Sequence, residues 1–180
     1  MAKKENKFIS LILRYLLLII LSLGNMRVFY FIFTPLTIYG SYFLLNFFLG
    51  ASLLSSDTIL IKNIFPIEII DACVAGAAYY LLTILNFSTP NIKIKKRLLI
   101  LGESFFILLV LNILRIFFVG FILIKYPSSF EIVHKFFWYL MSIIFVVGIW
   151  FFLVKHFKIK EIPLYSDAIF LYKKSIFSKK

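Results

Sequence analysis

The sequence predicts an all-α fold, a polytopic transmembrane helical bundle of about five membrane segments with a short extended outer loop before the third. Three observations lead there. Hydrophobic residues make up 62% of the 180-residue chain, Phe occurs 23 times and charged residues are held to 16%, far from the usage of soluble domains. Several apolar stretches reach the roughly 20 residues needed to cross about 30 Å of hydrocarbon. The net charge of +12 sits in loops and tails beside those stretches, the topological bias of membrane proteins. In a soluble protein such charge would point to nucleic acid. No basic helix or aromatic RNA-binding pattern accompanies it, so no nucleic-acid partner is expected.

The apolar segments run over about 8–25, 28–50, 69–87, 98–124 and 136–154, within one integral membrane domain covering 1–180. The first follows Met1-Ala-Lys3-Lys4-Glu5-Asn6-Lys7, and with no small-residue cleavage site after it, a retained membrane segment is expected. Whether it spans fully or lies shallow is left open, although Arg14 favours the interface. Segment 91–97 carries Lys93, Lys95, Lys96 and Arg97 with no acid, and 155–180 forms a basic tail. Both are assigned to the cytoplasm, and the charge-poor connections 51–68 and 125–135 to the outside. Residues 58–70 alternate imperfectly, are rich in β-branched side chains and are broken by Pro66; they read as a hairpin-like outer loop leading into Cys73. The 69–87 helix then runs inward, 98–124 outward and 136–154 inward, in a multi-pass protein of the cell membrane. The Asn86-Phe87-Ser88 sequon falls near the cytoplasmic side and reads as a chance match.

Cys73 is the only cysteine, which excludes an internal disulfide and a zinc-site spacing. It is either a packed small hydrophobe among Ala72, Val74, Ala75 and Gly76 or a nucleophile. Its charged company favours the nucleophile. Arg115, in Asn112-Ile-Leu-Arg115, stands about ten residues, or roughly 15 Å, below the outer end of its helix. Such depth costs at least about 2.5–3.5 kcal/mol, so the guanidinium should face the bundle interior or a wet cavity. Asn112 shares its face and can help to fix it. His134 lies in the outer loop at the mouth of the last span, so Cys73, Arg115 and His134 fall in the outer half of one membrane face. Glu68 and Asp71 could orient His134 or pair with Arg115, and Glu131, three residues before His134, could hold its imidazole. No metal site or cofactor is expected: there is no glycine-rich phosphate loop or paired-histidine helix, and His134 and His156 are assigned to opposite faces.

The order Ala72-Cys73…Gly76, then Asn112-Ile-Leu-Arg115-Ile116, then His134 resembles the exosortase/archaeosortase family over roughly residues 66–140. The resemblance implies a short, archaeal-type membrane cysteine peptidase, a hydrolase or transpeptidase that anchors proteins at the cell surface. Its partners would be exported proteins with a C-terminal sorting signal, cleaved by way of a thioester and passed to a membrane lipid or another acceptor. The family's proposed Cys–Arg–His constellation maps onto Cys73, Arg115 and His134, with the active site on the extracytoplasmic side. Two departures are plain. The family's Cys-Ser-Gly is Cys73-Val74-Ala75-Gly76 here, and Trp138 stands four residues after His134 where a small residue is usual. The alternative from another class is a small non-catalytic membrane protein, a transporter subunit or assembly factor, in which Arg115 is structural.

Overall fold

The computed structural model describes residues 2–24, 26–163 and 165–174. In chain order these form α1 (Ala2–Leu23), α2 (Arg27–Leu49), strands β1 (Ala51–Leu53), β2 (Thr58–Ile61) and β3 (Phe65–Glu68), the short α3 (Asp71–Val74), α4 (Gly76–Phe87), α5 (Ile94–Lys125), α6 (Phe130–Phe136), α7 (Ser142–His156) and α8 (Tyr165–Lys174). A 3-10 turn at Pro127–Ser129 leads into α6, and a π-helical turn at Phe137–Met141 joins α6 to α7.

Three helical stretches are long and apolar enough to cross a membrane: Arg27–Leu49, Ile94–Lys125 and Pro127–His156. The other two expected segments do not reach that length among the described residues. Of the first apolar run only Ile9–Leu23, and of the third only Gly76–Phe87, is apolar helix, and both are shorter. The second of these has 12 residues, roughly 18 Å against about 30 Å of hydrocarbon. The third segment is broken because Ala75 adopts a left-handed backbone, φ 63° and ψ 39°, between α3 and α4. The connection 125–135, expected as a loop, is mostly helical and belongs to the last long stretch.

α5 is the axis of the bundle and packs on α2, α4, α6 and α7. Gly40 of α2 faces the Ile113 side chain with no Cβ between them, the close approach that small residues permit in membrane bundles. Tyr79 of α4 stacks on Phe33 of α2 at 3.7 Å, and Phe105 of α5 meets both rings edge-on at 5.4 and 5.5 Å. The face-to-face stack and the two edge-on contacts join three helices through aromatic area.

The fold is not wholly α. The extended loop before the third segment is an antiparallel sheet of order β1-β2-β3, with Ala51 opposite Ile61 and Ile59 opposite Ile67. At the β1–β2 turn, Asp57 accepts hydroxyl bonds from Ser55 at 2.7 Å and Thr58 at 3.1 Å, which hold its carboxyl below the usual range. The sheet rests on α5 at Gly120, where an added Cβ would lie 3.2–3.3 Å from Ile67, Leu45 and Ile61. Pro66 does not break β3. The amide of Ile69 bonds Asp57 O at 2.8 Å, and those of Leu54 and Lys62 bond Thr58 O at 2.9 Å and Gly50 O at 3.1 Å. Along β2, then, Ile59 and Ile61 face β3 while Thr58 and Leu60 face β1, so Pro66, opposite Leu60, loses no ladder bond.

At the opposite end, the tail folds back. Asp167 of α8 is buried and pairs with Arg14 of α1 at 3.1 Å. Arg14 also donates to Phe87 O at 2.9 Å, so it is tied into the protein. Arg97 donates to the carbonyls of Asn86 and Thr89, and Asn86, the sequon residue, is fully buried. Tail residues 175–180, with Lys179 and Lys180, lie outside the described residues.

Gly120→Leu should lower the melting temperature of the purified protein, at a cost of about 1–3 kcal/mol for overpacking. Gly102→Leu, which meets nothing within 4 Å, should leave it nearly unchanged; differential scanning fluorimetry in detergent reads both.

Candidate functional site

The site begins with the break at Ala75. In an unbroken helix the carbonyls of Cys73 and Val74 would accept amides four residues on. The left-handed Ala75 turns the chain, and the Ala78 amide bonds Ala75 O at 2.9 Å instead of reaching Val74. Gly76 allows this geometry because its bare Cα sits against the Tyr30 ring, where a Cβ would be 2.6 Å from ring carbons. The freed carbonyl is not left alone. Asn112 Nδ2 donates to Cys73 O at 2.7 Å, with a longer contact of 3.4 Å to Val74 O, and Arg115 Nη2 donates to Cys73 O at 3.1 Å.

Asn112 and Arg115 share a face of α5, as their spacing predicts, and both are buried. They do not bond one another. They converge on the backbone of the cysteine, so α5 holds the α3 turn by side chains. Ser142 of α7 is a second anchor for the guanidinium, its Oγ accepting from Arg115 Nη1 at 3.4 Å. Nothing in the sequence singled out Ser142, because a serine in an apolar run has no marked signal.

Cys73, Arg115 and His134 line one cavity of about 280 Å³. They come from three separated parts of the chain: the α3 turn, the middle of α5 and α6. The remaining walls are mainly apolar, with Ile67, Ile116, Val119, Leu123 and Phe137 among them. His134 sits in α6 rather than a loop. Its ring lies between Phe130 and Trp138, one helical turn to either side, at centroid distances of 5.4 and 6.2 Å. Trp138 thus flanks the imidazole and lines the cavity. Among the described residues, no hydrogen bond joins His134 to Cys73 or to a carboxylate.

The acidic candidates divide. Glu68 lines the cavity and is exposed. Asp71 opens α3, is exposed, and carries no ion pair among the described residues. Glu131 is bound to Lys135 at 2.6 Å, one turn along α6, instead of holding His134. The oppositely charged neighbour at i+4 outcompetes the imidazole at i+3. Neither Glu68 nor Asp71 pairs with Arg115, whose bonds end on neutral oxygens. Among the described residues no group of three or more His, Cys, Asp or Glu side chains converges.

Compared with family models, with curated proteins and with solved structures, the chain matches none.

Two substitutions test the broken helix with opposite signs. Asn112→Leu leaves Arg115 as the side-chain donor to the Cys73 carbonyl and should cost about 0.5–1.5 kcal/mol for the lost hydrogen bond. Ala75→Gly should instead stabilise the protein by about 1 kcal/mol, the penalty of a left-handed alanine. In a continuous helix the same change would destabilise by about 1 kcal/mol. Thermal melts of the two variants distinguish the cases.

Proposed function

We propose that the chain is a membrane-embedded cysteine peptidase or transpeptidase that removes C-terminal sorting signals from exported proteins. The observation that carries this reading is the single cavity lined by Cys73, Arg115 and His134. Three chemically matched groups from distant parts of a mostly apolar chain meet where a substrate carbonyl could sit. The resemblance to exosortases and archaeosortases rests on the same residues and supplies the substrate class.

In this mechanism Cys73 Sγ attacks the scissile carbonyl as His134 takes the thiol proton. The resulting oxyanion is stabilised by Arg115. Two of its five N–H donors go to Cys73 O and Ser142 Oγ, which leaves the others for the substrate. Collapse expels the amine of the sorting signal, which takes the proton from the imidazolium and leaves a thioester on Cys73. A lipid or other acceptor hydroxyl or amine, or water, then gives its proton to His134 and attacks the thioester. The thiolate leaves and recovers the proton. The low-dielectric apolar walls strengthen each charge interaction along this path. Basic residues Lys93, Lys95, Lys96 and Arg97 at the far end of α5 orient the cavity toward the extracytoplasmic face by the positive-inside bias.

One observation favours a second reading. The hydrogen bonds of Arg115 end on atoms of the protein itself, as they would if the arginine only cemented a non-catalytic membrane protein.

Activity separates the two. In cells carrying Cys73→Ala, exported proteins with C-terminal apolar segments should accumulate as full-length precursors while the variant protein is present at wild-type level, as read by immunoblot and mass spectrometry of mature C-termini. Arg115→Ala should slow processing by about 10²–10³-fold. Unchanged processing in the Cys73→Ala strain contradicts the peptidase reading.

A further inference from the structure

The cavity has a wall that the chemistry above does not use. Five consecutive residues, Pro66 to Ile70, line it, and the first three belong to β3, the last strand of the sheet. The pairing pattern decides which way their backbone groups point. In an antiparallel ladder the N–H and C=O of one residue face the same side, and successive residues alternate. Asp57 opposite Ile69 is a hydrogen-bonded position, so Ile59 opposite Ile67 and Ile61 opposite Phe65 are hydrogen-bonded as well. The groups of Pro66 and Glu68 therefore point away from β2, to the free edge. That edge presents the carbonyl of Pro66 and the amide and carbonyl of Glu68, and none has a partner among the described residues. Two residues further, the carbonyl of Ile70 accepts the Cys73 amide at 2.8 Å. The row of unpaired groups thus leads directly to the cysteine.

We infer that the peptide substrate docks as a fourth strand on the free edge of β3, with a cationic side chain set beside Glu68. The inference rests on the peptidase reading for its ligand class. Strand addition is a recurrent mode of peptide capture, in which main-chain bonds give affinity and flanking pockets give specificity. Here the pockets are apolar walls of Val119, Leu123, Phe130 and Phe137. The charge preference comes from Glu68, which is exposed, lines the cavity and carries no ion pair among the described residues. A proline and a charge on an edge strand also serve to blunt it against self-pairing. That role belongs to an edge facing open solvent, whereas this one faces a cavity that holds the thiol.

Glu68→Pro isolates the contact. It removes the only amide that β3 offers to its free edge, since Pro66 has none, and it touches no bond to β2. Glu68→Gln removes the charge alone. The probe is a synthetic peptide alternating valine and lysine, with one valine replaced by a diazirine-bearing photo-leucine, applied to Cys73→Ala protein in lipid nanodiscs. N-methylating alternate residues of the peptide blocks one of its edges at a time. Strand docking predicts crosslinks on residues 65–70. N-methylation on one edge of the peptide should lower their yield about tenfold and on the other leave it within about twofold. Glu68→Pro should also lower the yield about tenfold. Glu68→Gln should remove the preference for lysine over norleucine.

Crosslinks elsewhere, or a yield indifferent to which edge is methylated in unsubstituted Glu68 protein, overturn the docking. Alkylation of Cys73 by iodoacetamide in wild-type protein is read in parallel. A reactive Cys73 with edge-independent crosslinking removes strand docking alone. An inert Cys73 with edge-dependent crosslinking keeps the docking and removes the peptidase reading.

Discussion

One backbone carbonyl organises this protein. Ala75 turns the chain into the left-handed region and strips the Cys73 carbonyl of its helical partner, and Asn112 and Arg115 replace that partner from α5. A buried arginine and a broken helix are each unfavourable in a membrane, the first by at least about 2.5–3.5 kcal/mol and the second through its orphaned polar groups. Together they compensate. The guanidinium gains an acceptor, the carbonyl gains donors, and the α3 turn becomes rigid at the residue that carries the thiol. The sheet, resting on Gly120 of the same helix, closes the cavity from above, and α6 supplies the imidazole from the side.

The buried arginines stand at the two ends of one bundle. At the sheet end the polar groups line a cavity and retain unfilled bonding capacity, in the spare donors of Arg115, the free imidazole of His134 and the open edge of β3. At the other end the arginines are bonded, Arg97 by the Asn86 and Thr89 carbonyls and Arg14 by Asp167 and Phe87 O, although Asn86 Oδ1 is buried without a partner among the described residues. On the proposed function, the cluster that lines the cavity is the one that meets substrate.

Hydropathy revealed most of the helical architecture because bilayer length and apolar composition are properties of whole segments. Three of the five expected segments have spanning length among the described residues; the third is broken at one alanine, and nothing in a run of small residues signals a positive φ. Pro66 read as a strand breaker; it is compatible with β3 because its nitrogen faces a free edge, which only the pairing register reveals. For the site, charge and position sufficed to gather Cys73, Arg115, His134 and Asn112. The target of Asn112 and Arg115 was hidden because a backbone carbonyl has no sequence identity. Glu131 was misjudged through a contest between neighbours, His134 at three residues and Lys135 at four, which Lys135 wins. Asp167 was lost within a basic tail whose average charge concealed one buried carboxylate.

On the proposed function, Cys73 is a reactive nucleophile in a cavity that opens to the outside and is shared with Arg115 and His134. The most direct test is the rate at which a membrane-impermeant maleimide labels Cys73 in intact cells, for wild type and for the His134→Ala and Arg115→Ala variants. Fast labelling from outside, slowed about tenfold or more by either substitution, is the predicted result. Labelling that waits for solubilisation of the membrane, or that proceeds at one rate in all three proteins, would contradict it.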